Sequence, residues 1–398
     1  MLKNVNNNQK VVYVTNDELR NECDRIESIK NRSQRVHSLI KSYGLLNHPQ
    51  LKVQSPRKLT EIELASFHSS DYISYLKSLP KQNPNNSSLN STDISFSSTF
   101  DASTVISDED LEFGIGYDCP KIDNLLNFIL TISGGTVSAV ESILNNEANI
   151  AINWCGGWHH AQKDAASGFC YTNDIVLGIE RLKEKFKKIL YIDLDVHHGD
   201  GVEQAFYATK KVLTLSFHLQ EPGFFPGTGE IESCGIGNGK GFAINVPYNF
   251  NITGEHFIKY FHNVFELVHA FYEPEVFVIQ CGADILSGDP LGGANLTIND
   301  MEKCIKNILD KNGPKIFLGG GGYDPINAAK YWTQITSLIL DTTLDEDIPD
   351  QDEFFLEYGP CYTINMERKQ LKDFNTKQKL EDNCNKIKCI LNNINKIT

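Results

Sequence analysis

The sequence predicts an α/β protein in which a parallel sheet is covered by helices. Three observations carry this. From residue 121 to 340, short apolar runs rich in β-formers recur, with helix-period segments between most of them; that alternation signals parallel strands joined by helical crossovers. The chain has 398 residues, 40% of them hydrophobic and 22% charged, which suits a soluble protein with a sizeable core. Several strand candidates run at once into segments dense in His, Asp or Gly, and open α/β sheets bind ligands at the carboxyl ends of their strands.

Taken in order, Val11–Val14 reads as the first strand. Helices are predicted over Ser33–Tyr43 and Ile62–Leu76. Residues 81–110 are polar and dense in Ser and Asn, and read as a flexible insertion, with order resuming at Leu111. Strands follow at Asn149–Asn153, Ile189–Ile192, Val212–Ser216, Val276–Ile279 and Ile316–Leu318, and helices at Ile175–Phe186 and Glu255–Tyr272. Residues 366–398 are charged and end in KIKCILNNINKI, a closing helix. No internal repeat is evident, so residues 11–398 are expected to form one domain.

Composition excludes several function classes. No run of 18 apolar residues occurs, so no membrane span is expected. The first residues lack an apolar h-region, so no secretory signal is expected. Ten cysteines are scattered without a CxxC pair, which suits reduced thiols in a nuclear or cytosolic setting. The net charge of −14 argues against direct nucleic-acid binding. It keeps the protein soluble and would favour a basic partner such as a Lys-rich tail.

The chemistry collects at four strand ends. Ala151–Asn153 leads into WCGGWHH, ending in His159 and His160; Ile189–Ile192 leads into DLDVHHGDG; Val276–Gln280 leads into CGAD; Ile316–Leu318 leads into GGGGY. If the second strand continues through its motif, Asp193, Asp195 and His197 share one face, since side chains alternate with period two. Two carboxylates and an imidazole at the end of a buried strand are costly without a cation. Two ligands from this strand and Asp284 from another would make the three-ligand set of a catalytic zinc site, with a position left for water. His159 and His160 suit acid–base work near neutral pH, and Asp193 and Asp200 are available to orient them. Tyr323, after Gly319–Gly322, could donate to a developing oxyanion. A plain flexible turn is the simpler reading of the four glycines taken alone.

These motifs, with YIDLDVHHGDGVEQAF, GGWHHAQKDAASGFCYTNDIVLGI, PGFFPGTGE, GADILSGDP and FLGGGGY, closely resemble the class I zinc-dependent histone deacetylases, in the same order over nearly the whole chain. The resemblance implies a single arginase/deacetylase-like α/β domain around an eight-stranded parallel sheet, and hydrolysis of N6-acetyl-lysine in histone tails or other proteins. It implies that Asp195, His197 and Asp284 hold zinc, with iron as the alternative. His159 and His160 would be paired imidazoles backed by Asp193 and Asp200, and Tyr323 would polarise the acetyl carbonyl. Gly168, Phe169, Phe225 and Leu291 would line the lysine tunnel, Asp118 would hold the substrate backbone at its rim, and Arg32 and Trp158 would border an inner acetate cavity. Potassium would bind at Asp193, Asp195, His197, Ser216 and Phe217, and again at Phe206, Thr209, Val212 and Phe242. The family resemblance also implies sensitivity to hydroxamates, a repressive role in chromatin, and residence in nucleus and cytoplasm.

Two departures qualify it. Leu291 stands where the family relative has Met on the tunnel wall. The Arg that accompanies inositol-phosphate-dependent corepressor binding is missing from Val246–Asn251, which argues against that partner. The alternatives are a small-molecule amide hydrolase of the same fold, acting on acetylpolyamines or as a ureohydrolase, and an inactive acetyl-lysine-binding scaffold. A two-metal ureohydrolase would need further carboxylates in the crevice. The presence of every proposed ligand, both histidines and Tyr323 argues against a decayed site.

Overall fold

The computed structural model describes residues 10–79 and 106–394. Eight strands form one sheet: β1 (Val11–Val14), β2 (Leu51–Gln54), β3 (Ile150–Asn153), β4 (Ile189–Asp193), β5 (Val212–Leu219), β6 (Ala243–Tyr248), β7 (Val276–Gln280) and β8 (Lys315–Leu318). Their order is β2-β1-β3-β8-β7-β4-β5-β6, and every pairing is parallel. This matches the expected α/β class.

The sheet is sandwiched. All residues of β1 and of β3 to β8 are buried, while the edge strand β2 is largely exposed beyond Leu51. Strands covered on both faces read as continuous apolar runs, which is why ILYID and VFVIQ lack polar alternation. On one face Leu190, Ile192, Leu213, Leu215 and Phe277 meet helices such as Arg32–Ser42, Gly254–Tyr272 and Pro325–Ile339. On the other, Ile189, Tyr191, Val276 and Ile316 meet Leu125–Leu144 and Asp174–Leu182. Each such aliphatic side chain contributes about 1.5–3 kcal/mol when fully buried. The helix Leu125–Leu144 is long and apolar enough to cross a membrane by length and composition, but 78% of its most apolar stretch is buried within the protein.

The order of strands positions the site. β3, β8, β7 and β4 are consecutive neighbours. Their last residues are level, with Asn153 opposite Leu318, Leu318 opposite Gln280, and Gln280 opposite Asp193. The four loops that leave these ends therefore meet above the middle of the sheet.

Several expectations need correction. The helix over Ile62–Leu76 is two, Glu61–Leu64 and Ser70–Ser78. Thr60 closes a capping box on the first, and the Ser69 hydroxyl accepts the Tyr72 amide to start the second. Between them His68 turns inward. Order resumes before Leu111: Ser107 caps a short helix, Asp108–Glu112. Of the insertion, residues 81–105 lie outside the described residues. The closing helix begins much earlier than KIKC, spanning Lys377–Ile394. β4 stops at Asp193, so Asp195 and His197 lie on a loop and not on a continuing strand face.

Candidate active site

The loop after β4 is wound by its own carboxylates. Asp193 Oδ1 accepts the Asp195 amide (3.1 Å), Asp195 Oδ1 accepts the His197 amide (3.0 Å), and Asp284 Oδ1 from the β7 loop accepts the Val196 amide (3.0 Å). These turns, not strand alternation, bring Asp195, His197 and Asp284 together, with ligand atoms within 4.8 Å of one another. His197 Nδ1 lies 3.0 Å from Asp195 Oδ1 and 3.1 Å from Asp284 Oδ2. All three residues are buried. Burial, reinforced by the Asp195 charge, pushes the Asp284 carboxyl up to about 8. Burial alone would lower His197, but the hydrogen-bonded Asp195 and Asp284 carboxylates outweigh it and push the imidazole up to about 10. Two buried carboxylates sharing one imidazole form a mixed Asp/His donor set that a divalent cation would neutralise. The residues present therefore fit a metal ion.

The same carboxylates are approached by backbone. The Gly321 amide donates to Asp195 Oδ2 (2.8 Å), and a Cβ on Gly321 would fall 2.0 Å from Asp284 Oδ2. The glycine run is thus needed for close approach and is more than a flexible turn. Gln280, the last residue of β7, donates to Asp195 Oδ2 (2.7 Å) and accepts the Gly282 amide (2.8 Å).

The two histidines arrive from β3. His159 Nδ1 is 2.8 Å from Asp193 Oδ2, which also accepts the Tyr191 hydroxyl (2.6 Å). His160 Nδ1 is 2.7 Å from Asp200 Oδ1, whose other oxygen accepts from Gln162 (3.2 Å). The ring centroids are 3.9 Å apart. Their environments separate them. His159 is desolvated, but the charges of Asp193 and Asp195 overcome this and raise it to about 9. Burial and the neighbouring His159 charge lower His160 to about 4, against the opposing pull of Asp200. The two environments thus push the imidazoles apart, His159 up and His160 down.

Sequence reasoning missed the residue that holds this loop in place. Asp174, first in the helix Asp174–Leu182, accepts the Trp158 amide on one oxygen (2.8 Å) and the Gly157 amide on the other (3.0 Å), together with the Thr136 hydroxyl. Asp174 lies just before the predicted helix start at Ile175, and the Asn173 cap beside it was the available signal.

A mouth of about 260 Å³ leads down to His160 and His197, lined by Asp118, Gly168, Phe169, Phe224, Phe225, Leu291 and Tyr323 among others. Phe224 stacks on His197, with centroids 5.1 Å apart and planes within 4°; it was not among the expected lining residues, although its neighbour Phe225 was. Gly168 has φ +53, and a Cβ there would fall 2.5 Å from His160 Cδ2. Its amide donates to Asp118 Oδ2 (2.6 Å), so one Asp118 oxygen is already engaged. Phe169 itself sits at φ 65, a left-handed conformation costly for a bulky residue, and its ring contacts Tyr323 at 5.6 Å. Leu291 is 43% exposed at the rim. Burial and the Asp284 and Asp195 charges hold the Tyr323 phenol well above its usual range, so it stays a donor.

A narrow inner cavity of about 30 Å³ adjoins His159, His160 and Tyr323, bordered further by Ile26, Ser28, Ile29, Arg32 and Trp158. The Arg32 guanidinium donates to the Gly322 carbonyl (2.9 Å) and lies over the Trp332 ring. The remaining expected positions lie on β5 and on the segments just before β5 and β6. Ser216 is opposite Asp193, with its hydroxyl 2.9 Å from His218 Nδ1, and Phe217 follows it. Phe206 ends the helix Asp200–Phe206, and its carbonyl accepts the Thr209 amide. Val212 opens β5, and the Phe242 carbonyl accepts the Thr214 amide.

Comparison with known proteins agrees with this arrangement. Residues 27–339 match the histone deacetylase domain. The chain is 40% identical to zebrafish (Danio rerio) histone deacetylase 8 over 386 residues, covering 97% of this chain and 96% of that protein. It is 40% identical to type-1 histone deacetylase 1 of Dictyostelium discoideum over 352 residues, 88% of this chain and 66% of that one. Against human histone deacetylase 1 the identity is 38% over 351 residues, 88% of this chain and 68% of the relative.

Proposed function

Because the chain belongs to the histone deacetylase family, we propose that it hydrolyses N6-acetyl-lysine in histones and other proteins at the Asp195–His197–Asp284 cluster, with zinc as the metal. The observation that carries this reading is the meeting of that cluster with two oppositely poised His–Asp pairs at the bottom of an aromatic tunnel. The enzyme is a protein lysine deacetylase, and the family is metal-dependent.

Asp195, His197 and Asp284 would hold the metal, which when bound polarises an acyl carbonyl and makes water more acidic. The rest is work for the chain's own residues. Phe169, Phe224 and Phe225 enclose the lysine methylenes and exclude bulk water. Asp118 steers the substrate backbone with its unengaged oxygen. Neutral His160 takes the proton from the attacking water and returns it to the leaving lysine amine, with Asp200 fixing its Nδ1. His159, charged and tied to Asp193, places a positive charge beside the developing oxyanion. The Tyr323 hydroxyl donates to that oxygen from the opposite loop. Arg32 and Trp158 border the space into which acetate leaves.

Iron is the alternative metal, and metal analysis of protein purified without chelators separates the two. Structural potassium at the β4 and β5 ends completes the reading, supported by the facing pair Asp193 and Ser216. The names of the relatives suggest a nuclear role; a cytoplasmic pool is part of the proposal. Among the described residues one His/Asp group has metal-binding spacing, which favours a single-metal deacetylase over a two-metal ureohydrolase.

The deciding experiment is deacetylation of a fluorogenic acetyl-lysine peptide by purified protein, with a hydroxamate chelator and Asp284→Ala as controls. Activity abolished by both supports the proposal. No activity in metal-replete wild type overturns it in favour of another acyl group, a non-peptide amide or a scaffold.

A further inference from the structure

Asp289 follows Asp284 on the loop after β7, and its carboxylate accepts three backbone N–H groups from two different loops. Oδ1 accepts the Leu291 amide at 3.0 Å; Oδ2 accepts the Tyr323 amide at 2.7 Å and the Asp324 amide at 3.3 Å. One side chain thus ties the exposed rim residue Leu291 to the backbone of the residue that carries the phenol. Charge-assisted hydrogen bonds of this kind are roughly twice as strong as neutral ones.

The surroundings explain why such a tie matters. Tyr323 is preceded by glycines that have no side chains to anchor them, and Gly320 and Gly322 both sit at φ 133. On its other side Asp324 is occupied as a helix cap, accepting the Ile326 and Asn327 amides at 3.0 Å each. The rim loop is held equally tightly from within: a Cβ on Gly292 would fall 2.3 Å from the Asp284 carbonyl and 3.1 Å from the Asp289 Cβ. Asp289 therefore links the tunnel wall, the Asp284 loop and the start of the Pro325–Ile339 helix through one carboxylate.

We propose that Asp289 is a positioning residue for deacetylation, holding the Tyr323 backbone so that the phenol meets the acyl oxygen and keeping the Leu291 rim in register with it. This rests on the reading of Tyr323 as oxyanion donor. An Asn at 289 offers one acceptor oxygen, and its NH₂ would face a backbone N–H, so one of the two ties is lost.

The test is a double-mutant cycle on the metal-loaded enzyme: wild type, Asp289→Asn, Tyr323→Phe and the double variant, each assayed for kcat and KM on an acetyl-lysine peptide. Asp289→Asn is expected to lower kcat about 10- to 100-fold, the scale of a misplaced reacting group, with KM changed less than about threefold. In the Tyr323→Phe background the same substitution is expected to cost less than about threefold, because residues that act through one another are non-additive. Asp289→Glu, which keeps a carboxylate, is measured in the same two backgrounds. It is expected to recover part of the lost kcat and to show the same dependence on Tyr323, and it carries the test alone should Asp289→Asn fail to fold. Equal losses in both backgrounds, or an unchanged kcat, overturn the proposal. Near wild-type turnover in Tyr323→Phe itself would locate the failure in the oxyanion reading, and the positioning role would fall with it.

Discussion

Replacing Gly168 by Ala puts the geometry of the tunnel wall to a quantitative test. The added Cβ would lie 2.5 Å from His160 Cδ2, 2.8 Å from its Cγ and 3.0 Å from a Phe225 ring carbon. Carbon atoms rest at about 3.5–4.0 Å, so the imidazole must retreat by about 1 Å. That displacement would stretch the 2.7 Å contact between His160 Nδ1 and Asp200 beyond hydrogen-bonding range. The left-handed backbone at Gly168, φ +53, adds about 1–2 kcal/mol of strain for any residue with a Cβ. Overpacking adds about 1–3 kcal/mol. Stability in urea is therefore expected to fall by about 2–5 kcal/mol, the sum of these two ranges. Turnover at saturating acetyl-lysine peptide should fall about 100-fold, the cost of a 1 Å misplacement of a reacting group. A variant with wild-type urea midpoint and kcat within about threefold of wild type would refute the claim that this glycine is required by the His160 ring.

Three other outcomes follow from the same geometry. Tyr323→Phe keeps the ring contact with Phe169 but removes the donor; kcat should fall about 10²–10³-fold, measured at saturating peptide, with unchanged thermal stability. Asp174→Asn leaves an NH₂ facing either the Gly157 or the Trp158 amide; denaturant titration should show a loss of about 1–3 kcal/mol, and activity should fall with it because those amides carry His159 and His160. His68 is lowered to about 4, first by burial, with its ring nitrogens facing the Lys163 carbonyl and the Asn173 amide. Between pH 6.5 and 4 the unfolded chain binds the proton that the folded His68 refuses, so stability is full above 6.5 and falls as pH drops through this window. The loss should reach about 3 kcal/mol at pH 4. Stability–pH profiles of wild type and His68→Gln should converge at low pH by that amount, and parallel profiles would refute the assignment.

Much of the fold was legible because its strands are short, apolar and separated by helical patterns. The runs at 189, 212, 276 and 316 all proved to be strands. What was missed has physical causes. β2, LKVQ, is an edge strand with two exposed residues and lacks the fully apolar signature. β6, AINVPY, contains a proline and follows a glycine-rich turn, both of which read as loop. The helix Leu125–Leu144 is buried on nearly every side and carries Gly134 and Gly135, which disguise its period. At Gly134 a Cβ would strike the Arg57 carbonyl, so the glycine serves packing.

At the site, the ligand types were readable from DLDVHHGDG, but the reason they converge was not. The expected strand face was replaced by a loop whose turns depend on Asp284, far away in sequence. Supporting residues such as Asp174, Gln280 and Asp289 escaped notice for the same reason. Asp174 and Asp289 act through backbone amides of a distant loop and Gln280 through the Asp195 carboxylate, and no local pattern marks such contacts.

The strand order has a consequence for biosynthesis. β3 and β4 lie in the same half of the chain, yet β8 and β7 sit between them. As the ribosome works from Asn153 to Lys315, one edge of β3 waits unpaired for β8, for on the order of 10–30 s at ordinary elongation rates, while β4 waits only for β7. Only when the last strand arrives can the central sheet close and the His159–His160 loop meet Asp284. A nascent chain of this design offers an unpaired sheet edge through a long stretch of its synthesis. It also acquires its reactivity all at once, so that a prematurely terminated chain is an aggregation risk without being a rogue hydrolase.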